Sequence, residues 1–143
     1  MHEYSTFWIK EEFHYNYFFK PDILCRFLIN YISNYDHNGG MQSQFNYITH
    51  NIPYNQLVTH IKNYHKYEVE MVINRNKIDL IKDGKTLTLY INNRNLIILS
   101  NSQEEVDDLI FQPLKAFNSS FFVIELGTDN SGWITPMKKE MLL

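Results

Sequence analysis

The sequence contains almost no cysteine, the residue that cross-links small proteins through disulfides and binds metals through sulfur. Cys25 is the one cysteine among 143 residues, which excludes an internal disulfide and a thiolate metal cluster. Its neighbours Ile23, Leu24 and Phe27 are apolar, so we expect a buried, unreactive thiol. Low cysteine use without pairing is typical of a reducing compartment, and the sequence therefore predicts a cytoplasmic protein.

Runs of basic charge and long apolar runs are also missing. The 13 Lys and Arg residues face 16 Asp and Glu residues, for a formal net charge of −3. Proteins that bind nucleic acids neutralise phosphates with clustered cations, so no direct nucleic-acid binding is expected. No apolar run reaches the roughly 18 to 20 residues needed to cross a bilayer, and the start lacks the basic and apolar regions of a signal peptide. We expect neither a membrane segment nor a signal peptide.

The motifs of catalysis and metal binding are missing as well. His60 and His65 are five residues apart, which separates them by about 140° on a helix, so we expect solvated surface histidines and no shared metal. The acidic pairs at 104–105 and 107–108 lie in a predicted first helical turn, where the helix dipole favours negative charge. There is no Gly-x-Ser-x-Gly motif and no phosphate-binding glycine loop. The sequence predicts a protein that is not an enzyme and uses no cofactor, metal or small-molecule substrate.

Aromatic residues, in contrast, are abundant at 15% of the chain, and they are dense in residues 10–19. Successive residues in a helix turn by about 100°, so Phe13 and Tyr17 lie one above the other. The opposite side carries three more aromatic residues, Tyr15, Phe18 and Phe19. Because that group is wider, we expect it to face the core and to leave Phe13 and Tyr17 exposed as anchors for a partner protein. The alternative is a helix with both faces buried.

Apolar spacing and end signals predict four further helices. Pro21 suits the first turn of a second helix, which should end by Asp36, before a loop signal at Asn38 to Gly40. Ser102 begins a capping box and thus a later helix, which Pro113 should kink or end. Two helices are predicted between these, over residues 41–48 and from Pro53 onward.

Three kinds of pattern predict the strands: a β-branched and aromatic run, a continuous apolar run and period-two alternation. Residues 4–9 suit a central strand, and residues 121–126 are a continuous apolar run typical of an internal one. Residues 67–99 alternate as a meander of three or four antiparallel strands with a hairpin at Asp83-Gly84, although residues 67–82 fit either one strand or two. The element order predicts a single α+β domain over residues 1–143, with a mixed sheet and helices packed against it.

Three segments resemble the motifs of one family. They are Lys10-Glu11-Glu12-Phe13 followed by Tyr17-Phe18, Tyr47-Ile48-Thr49 followed by Ile52-Pro53, and Gly132-Trp133 with Pro136 and Lys138. Together with the strand before the first segment, they are similar to the sporulation inhibitor of replication family, SirA. The resemblance spans essentially the whole chain.

This resemblance implies a non-enzymatic regulator that binds the N-terminal domain of the bacterial replication initiator DnaA and restrains initiation at the chromosomal origin. In that family the partner-facing residues match Phe13, Tyr17 and Gln44. His14 stands where the family has a small residue. Two other classes of protein remain open from the residues alone: a toxin-immunity or antitoxin module that blocks a different target, and a small hydrolase, which would need a pocket with paired titratable groups.

Overall fold

In the computed structural model, seven strands form one sheet, and the structure describes residues 1–33 and 39–135. The strands are β1 (His2–Trp8), β2 (Glu70–Asn74), β3 (Lys77–Lys82), β4 (Lys85–Ile91), β5 (Leu96–Ser100), β6 (Phe121–Glu125) and β7 (Ser131–Trp133). Their spatial order is β2-β3-β4-β5-β1-β6-β7, so β1 is internal, as its composition predicts. The predicted helix end at Asp36, the loop residue Asn38 and the motif residues Pro136 and Lys138 lie outside the described residues.

The sheet is antiparallel in each of its six neighbouring pairs, so it is not mixed as the element order suggested. Strand β6 follows a helix, and a connection of that length permits either strand direction. The register from Tyr4 opposite Glu125 to Trp8 opposite Phe121 shows that β6 runs antiparallel to β1. The α+β class and the meander are confirmed.

Residues 67–82 form two strands of the meander rather than one. Strands β2 and β3 pair across a turn in which Arg75 has a φ of 58°. The next turn places Asp83 at φ 53° and Gly84 at φ 76°, the left-handed pair that matches the twist of a tight hairpin. The meander therefore has four strands, β2 to β5.

The helices follow the predicted end signals. They are α1 (Glu11–Tyr17), α2 (Pro21–Ser33), α3 (Gly39–Ile48), α4 (Tyr54–His65), α5 (Gln103–Val106) and α6 (Gln112–Phe117), and a π-helical turn, Asp107–Phe111, joins the last two. Helix α3 begins two residues before the predicted start because Gly39 and Gly40 are helical rather than loop. Ser102 caps α5 by accepting hydrogen bonds from the backbone N–H groups of Glu104 and Glu105. Within the described residues, no helix has both the length and the apolar composition needed to cross a membrane.

Pro113 does not end its helix. A histidine side chain supplies the hydrogen bond that the proline cannot make. Proline has no N–H to donate to the carbonyl four residues back, here that of Leu109. His65 Nε2 lies 2.8 Å from this carbonyl oxygen and takes the place of the missing donor. Since His65 is 7% exposed, the expectation of a solvated surface histidine is wrong at this position. The Nε2 of His60 lies 2.7 Å from the carbonyl oxygen of Pro113 itself.

Two apolar cores lie on opposite faces of the sheet. The alternation along β6 assigns Phe121 to one and Phe122 to the other. Core A contains side chains from α4, from residues 106–114 and from the meander, among them Leu57, Ile61, Val106, Leu114, Leu80, Leu87 and Leu89. Core B is smaller and consists of Phe7, Ile9, Leu24, Leu28, Phe45, Phe122 and Ile124. Full burial of one such side chain contributes about 1.5 to 3 kcal/mol, and residues of α2 and α3 pack against the sheet in core B.

Candidate protein-binding site

Helix α1 lies at the rim of core B and is only partly covered. All seven of its residues are described, and none of them is buried. The alternative in which both of its faces are buried is therefore wrong. Such a short helix owes its stability to the surfaces it touches, because isolated helices under about 12 residues are marginal in water.

The side of α1 that turns inward is the opposite of the one expected. Phe13 and Tyr17 are half-buried and pack against core B, whereas Tyr15 is 81% and Phe19 is 70% exposed. Leu24, Leu28 and Phe45 already fill this face of the sheet, so little area is left for α1, and the narrower aromatic pair occupies it. Each ring of the pair keeps one side on the core and one side in solvent.

Backbone hydrogen bonds fix the start of α1 beside the end of α3. The N–H of Lys10 donates to the carbonyl of Ile48 at 2.8 Å, and Ile9 forms a β-bridge with Thr49. The N–H of His50 donates to the carbonyl of Trp8, also at 2.8 Å. These bonds join two segments almost forty positions apart in the chain and place the side chains of α1 next to those of α3.

The junction of α1 and α3 presents a surface that we call the aromatic face, formed by Phe13, Tyr17, Gln44 and Tyr47. The Phe13 ring meets the Tyr47 ring edge-on, with 5.2 Å between ring centres. The Nζ of Lys10 lies 5.4 Å from the centre of the Tyr47 ring, within range of a cation–π contact. Tyr47 is 62% exposed and Gln44 is exposed, so this face combines aromatic rings with the amide of Gln44 beside them.

A groove of about 330 Å³ runs along the aromatic face between α1, α2 and α3. Its lining residues are Tyr17, Ile23, Leu24, Phe27, Gln44, Tyr47 and Ile48. The structure thus brings together the three residues expected to bind a partner: Tyr17 and Gln44 line the groove, and Phe13 touches it through Tyr47. Sequence reasoning did not single out Tyr47 as a site residue, although its position three residues after Gln44 puts both on one side of α3.

Burial lowers the pKa of two histidines at the junction of α1 and α3, His14 of α1 and His50 just after α3. The His14 pKa falls because its ring is partly desolvated, with Glu11 acting in the opposite direction. The His50 pKa falls for the same reason, reinforced by the positive charges of Lys10 and Arg94. Both rings are therefore favoured in the neutral form near pH 7.

A second, more polar cavity of about 390 Å³ lies beside β6 and β7 and includes Glu125. The carboxylate of Glu125 is 5% exposed and is held by His2 Nδ1 at 2.8 Å, Asn130 Nδ2 at 3.1 Å and Gln103 Nε2 at 3.2 Å. The hydrogen bonds from His2 and Asn130 lower the pKa of this carboxyl. A general acid needs a raised pKa, so Glu125 has the character of a structural carboxylate. Among residues 1–33 and 39–135, no group of three or more His, Cys, Asp or Glu side chains is arranged to hold a metal ion.

The fold and the aromatic face define the class of the molecule, a small α+β protein with one antiparallel sheet that presents aromatic side chains on short rim helices. Comparison with protein families identifies it further. The model of the family described as sporulation inhibitor of replication protein SirA matches residues 2–138, and the chain belongs to that family. A comparison with curated proteins finds no match. The family description is that of a replication inhibitor active in sporulation.

Proposed function

We propose that this protein restrains the initiation of chromosomal replication by binding the N-terminal domain of the initiator DnaA in the cytoplasm, without catalysing a reaction. The observation that carries the proposal is the convergence of Phe13, Tyr17 and Gln44 on one partly exposed face. Family membership supports a role in replication, and the aromatic face supports action through a protein contact.

The aromatic face has the physical properties of an interface centre. Phe13 and Tyr17 are held on one side by core B, so little side-chain entropy is lost when a partner covers the other side. The groove beside them accommodates an apolar side chain of the partner, and the Gln44 amide supplies a polar contact at its edge. Inhibition would then be steric and stoichiometric, because occupation of the initiator surface blocks its self-association or the docking of a helper protein.

The test is a calorimetric titration of the purified DnaA N-terminal domain with the wild-type chain and with the variants Phe13→Ala, Tyr17→Ala and Gln44→Ala. Loss of an aromatic anchor at an interface centre costs about 2 kcal/mol or more, so each ring variant should bind roughly thirtyfold more weakly. Gln44→Ala should bind about fivefold more weakly, the effect of one neutral hydrogen bond.

Matched controls come from the same segment of the chain, residues 11–19. Tyr15→Ala and Phe19→Ala also remove an aromatic ring, but from the solvent side, and both should bind like the wild type. Thermal unfolding of every variant separates lost affinity from lost structure. Wild-type affinity in both Phe13→Ala and Tyr17→Ala would overturn the proposal. A loss confined to Tyr15→Ala and Phe19→Ala would place the interface on the outer side of α1.

A further inference from the structure

His14 connects α1 to the sheet region through one hydrogen bond and one ring contact. Its Nδ1 lies 2.8 Å from the hydroxyl oxygen of Ser120, just before β6. Its ring lies over Trp133 of β7, with 4.1 Å between ring centres and 31° between planes. The ring of Phe18, the residue that follows α1, has its centre 5.8 Å from that of the same imidazole. The imidazole therefore contacts both the end of the chain segment before β6 and the edge of the sheet.

Both partners of His14 are themselves held in place. Ser120 is 4% exposed, its carbonyl accepts a hydrogen bond from the N–H of Ile9 at 2.9 Å, and its N–H donates to Asn118 Oδ1 at 2.8 Å. The Trp133 ring packs edge-on against Phe122 of core B at 5.1 Å. His14 thus ties α1, a seven-residue helix, to two residues that β1, β6 and core B hold in place.

The rotation of α1 about its axis decides where Phe13 and Tyr17 point. The backbone bond from Lys10 to Ile48 locates the start of the helix but does not by itself fix its rotation, which depends on side-chain contacts such as the packing of Phe13 and Tyr17 on core B. Within the described part of the chain, no side-chain hydrogen bond caps the N-terminus of α1. His14 is adjacent to Phe13 and three residues before Tyr17, so a fixed direction of its side chain determines the direction of both rings.

We infer that His14 is a positioning residue of the aromatic face, which holds the rotation of α1 through Ser120 and Trp133 so that Phe13 and Tyr17 are presented to the partner. This inference rests on the proposed function. It adds a residue that lies on the sheet side of α1 and acts on the partner contact through the orientation of the helix. Its two contacts are separable: Asn at position 14 retains a polar atom near the place of Nδ1, and Phe retains the ring on Trp133.

The experiment combines titration of the DnaA N-terminal domain with backbone amide exchange of the free full-length chain. His14→Ala loses one hydrogen bond and one ring contact, so its Kd should rise about tenfold. The amides of residues 11–17 should exchange faster in this variant, whereas those of β1 and β6 should not. His14→Asn and His14→Phe should each recover part of the affinity and part of the protection. Asn16→Ala, at an exposed position of the same helix, is the control and should change neither.

The results separate this inference from the proposed function. If the wild type binds the initiator domain and His14→Ala binds equally well, the inference is overturned and the proposed function stands. If His14→Ala binds weakly while exchange in residues 11–17 is unchanged, His14 is a direct contact and the positioning role is also overturned. If the wild type does not bind, the proposed function fails, and amide exchange alone decides whether His14 fixes the rotation of α1.

Discussion

At the scale of the residue, Arg94 shows how one side chain supports the aromatic face from a distance. It lies in the turn between β4 and β5, and its Nη1 donates to the carbonyl oxygens of Asn46 at 3.2 Å and Thr49 at 2.8 Å and to Thr49 Oγ1 at 3.1 Å. These carbonyls belong to the end of α3, where backbone acceptors have no partner within the helix. Arg94 therefore acts as a C-terminal cap supplied by the meander, and it holds the helix that carries Gln44 and Tyr47.

Replacing Arg94 by Met should destabilise the protein. The variant keeps most of the aliphatic length of the side chain but loses every donor, which leaves helix-end carbonyls without a charged partner and should cost about 1 to 3 kcal/mol. Urea unfolding measures this change as a lower midpoint with the same slope. Arg94→Lys retains one charged donor group and should recover part of the loss. An Arg94→Met midpoint equal to that of the wild type would show that the cap contributes nothing.

At the scale of the element, His65 of α4 forms a hydrogen bond with the π-helical turn between α5 and α6. The turn precedes Pro113, and the Leu109 carbonyl that proline cannot satisfy accepts its hydrogen bond from His65 of α4. The bond joins two helices that cover the same face of the sheet. It also assigns the proton of this imidazole to Nε2, because a carbonyl oxygen can only accept.

The coupling between these two residues predicts a non-additive double-mutant cycle. His65→Leu alone leaves a buried carbonyl unpaired and should cost about 1 to 3 kcal/mol of unfolding free energy. In a Pro113→Ala background the new N–H can donate to Leu109, so the same His65→Leu change should cost less. Chemical unfolding of the four proteins gives the coupling energy. Additive effects would mean that the histidine does not substitute for the missing amide.

At the scale of the whole molecule, stability should depend on pH through the two histidines at the junction of α1 and α3. The pKa of His14 and that of His50 are both lowered from 6.5 in the folded protein. The unfolded chain therefore binds more protons than the folded chain as pH falls below 6.5, so stability is fully present above that value and decreases below it. The lowered pKa of Glu125 adds a further loss below its ordinary value of 4.5.

The expected result is a thermal midpoint that is flat above about pH 7 and decreases as the pH falls below about 6.5. The double variant His14→Phe with His50→Phe should flatten this decline, because phenylalanine does not titrate. An undiminished slope in the double variant would assign the pH dependence to other groups.

Local patterns in the sequence account for most of the elements. Capping at Ser102, proline at the start of α2, the Asp83-Gly84 hairpin and the alternation of the meander each depend on neighbours within a few positions, and each is found in the structure. The four-residue spacing of Phe13 and Tyr17 puts them on one side of a helix for the same reason. The family motifs are also local patterns, and the resemblance that they carry implies a partner-facing role for Gln44.

Patterns among neighbouring residues are therefore enough to predict the elements, the α+β class and the family. Long-range packing set the rest. The sheet is antiparallel throughout, Tyr15 and Phe19 rather than Phe13 and Tyr17 are the most exposed rings of residues 11–19, and Tyr47 completes the aromatic face. Periodicity tells which side chains share a side of a helix. It carries no information on which side is covered, because the covering residues, here core B and the end of α3, come from distant parts of the chain and compete for the same limited area.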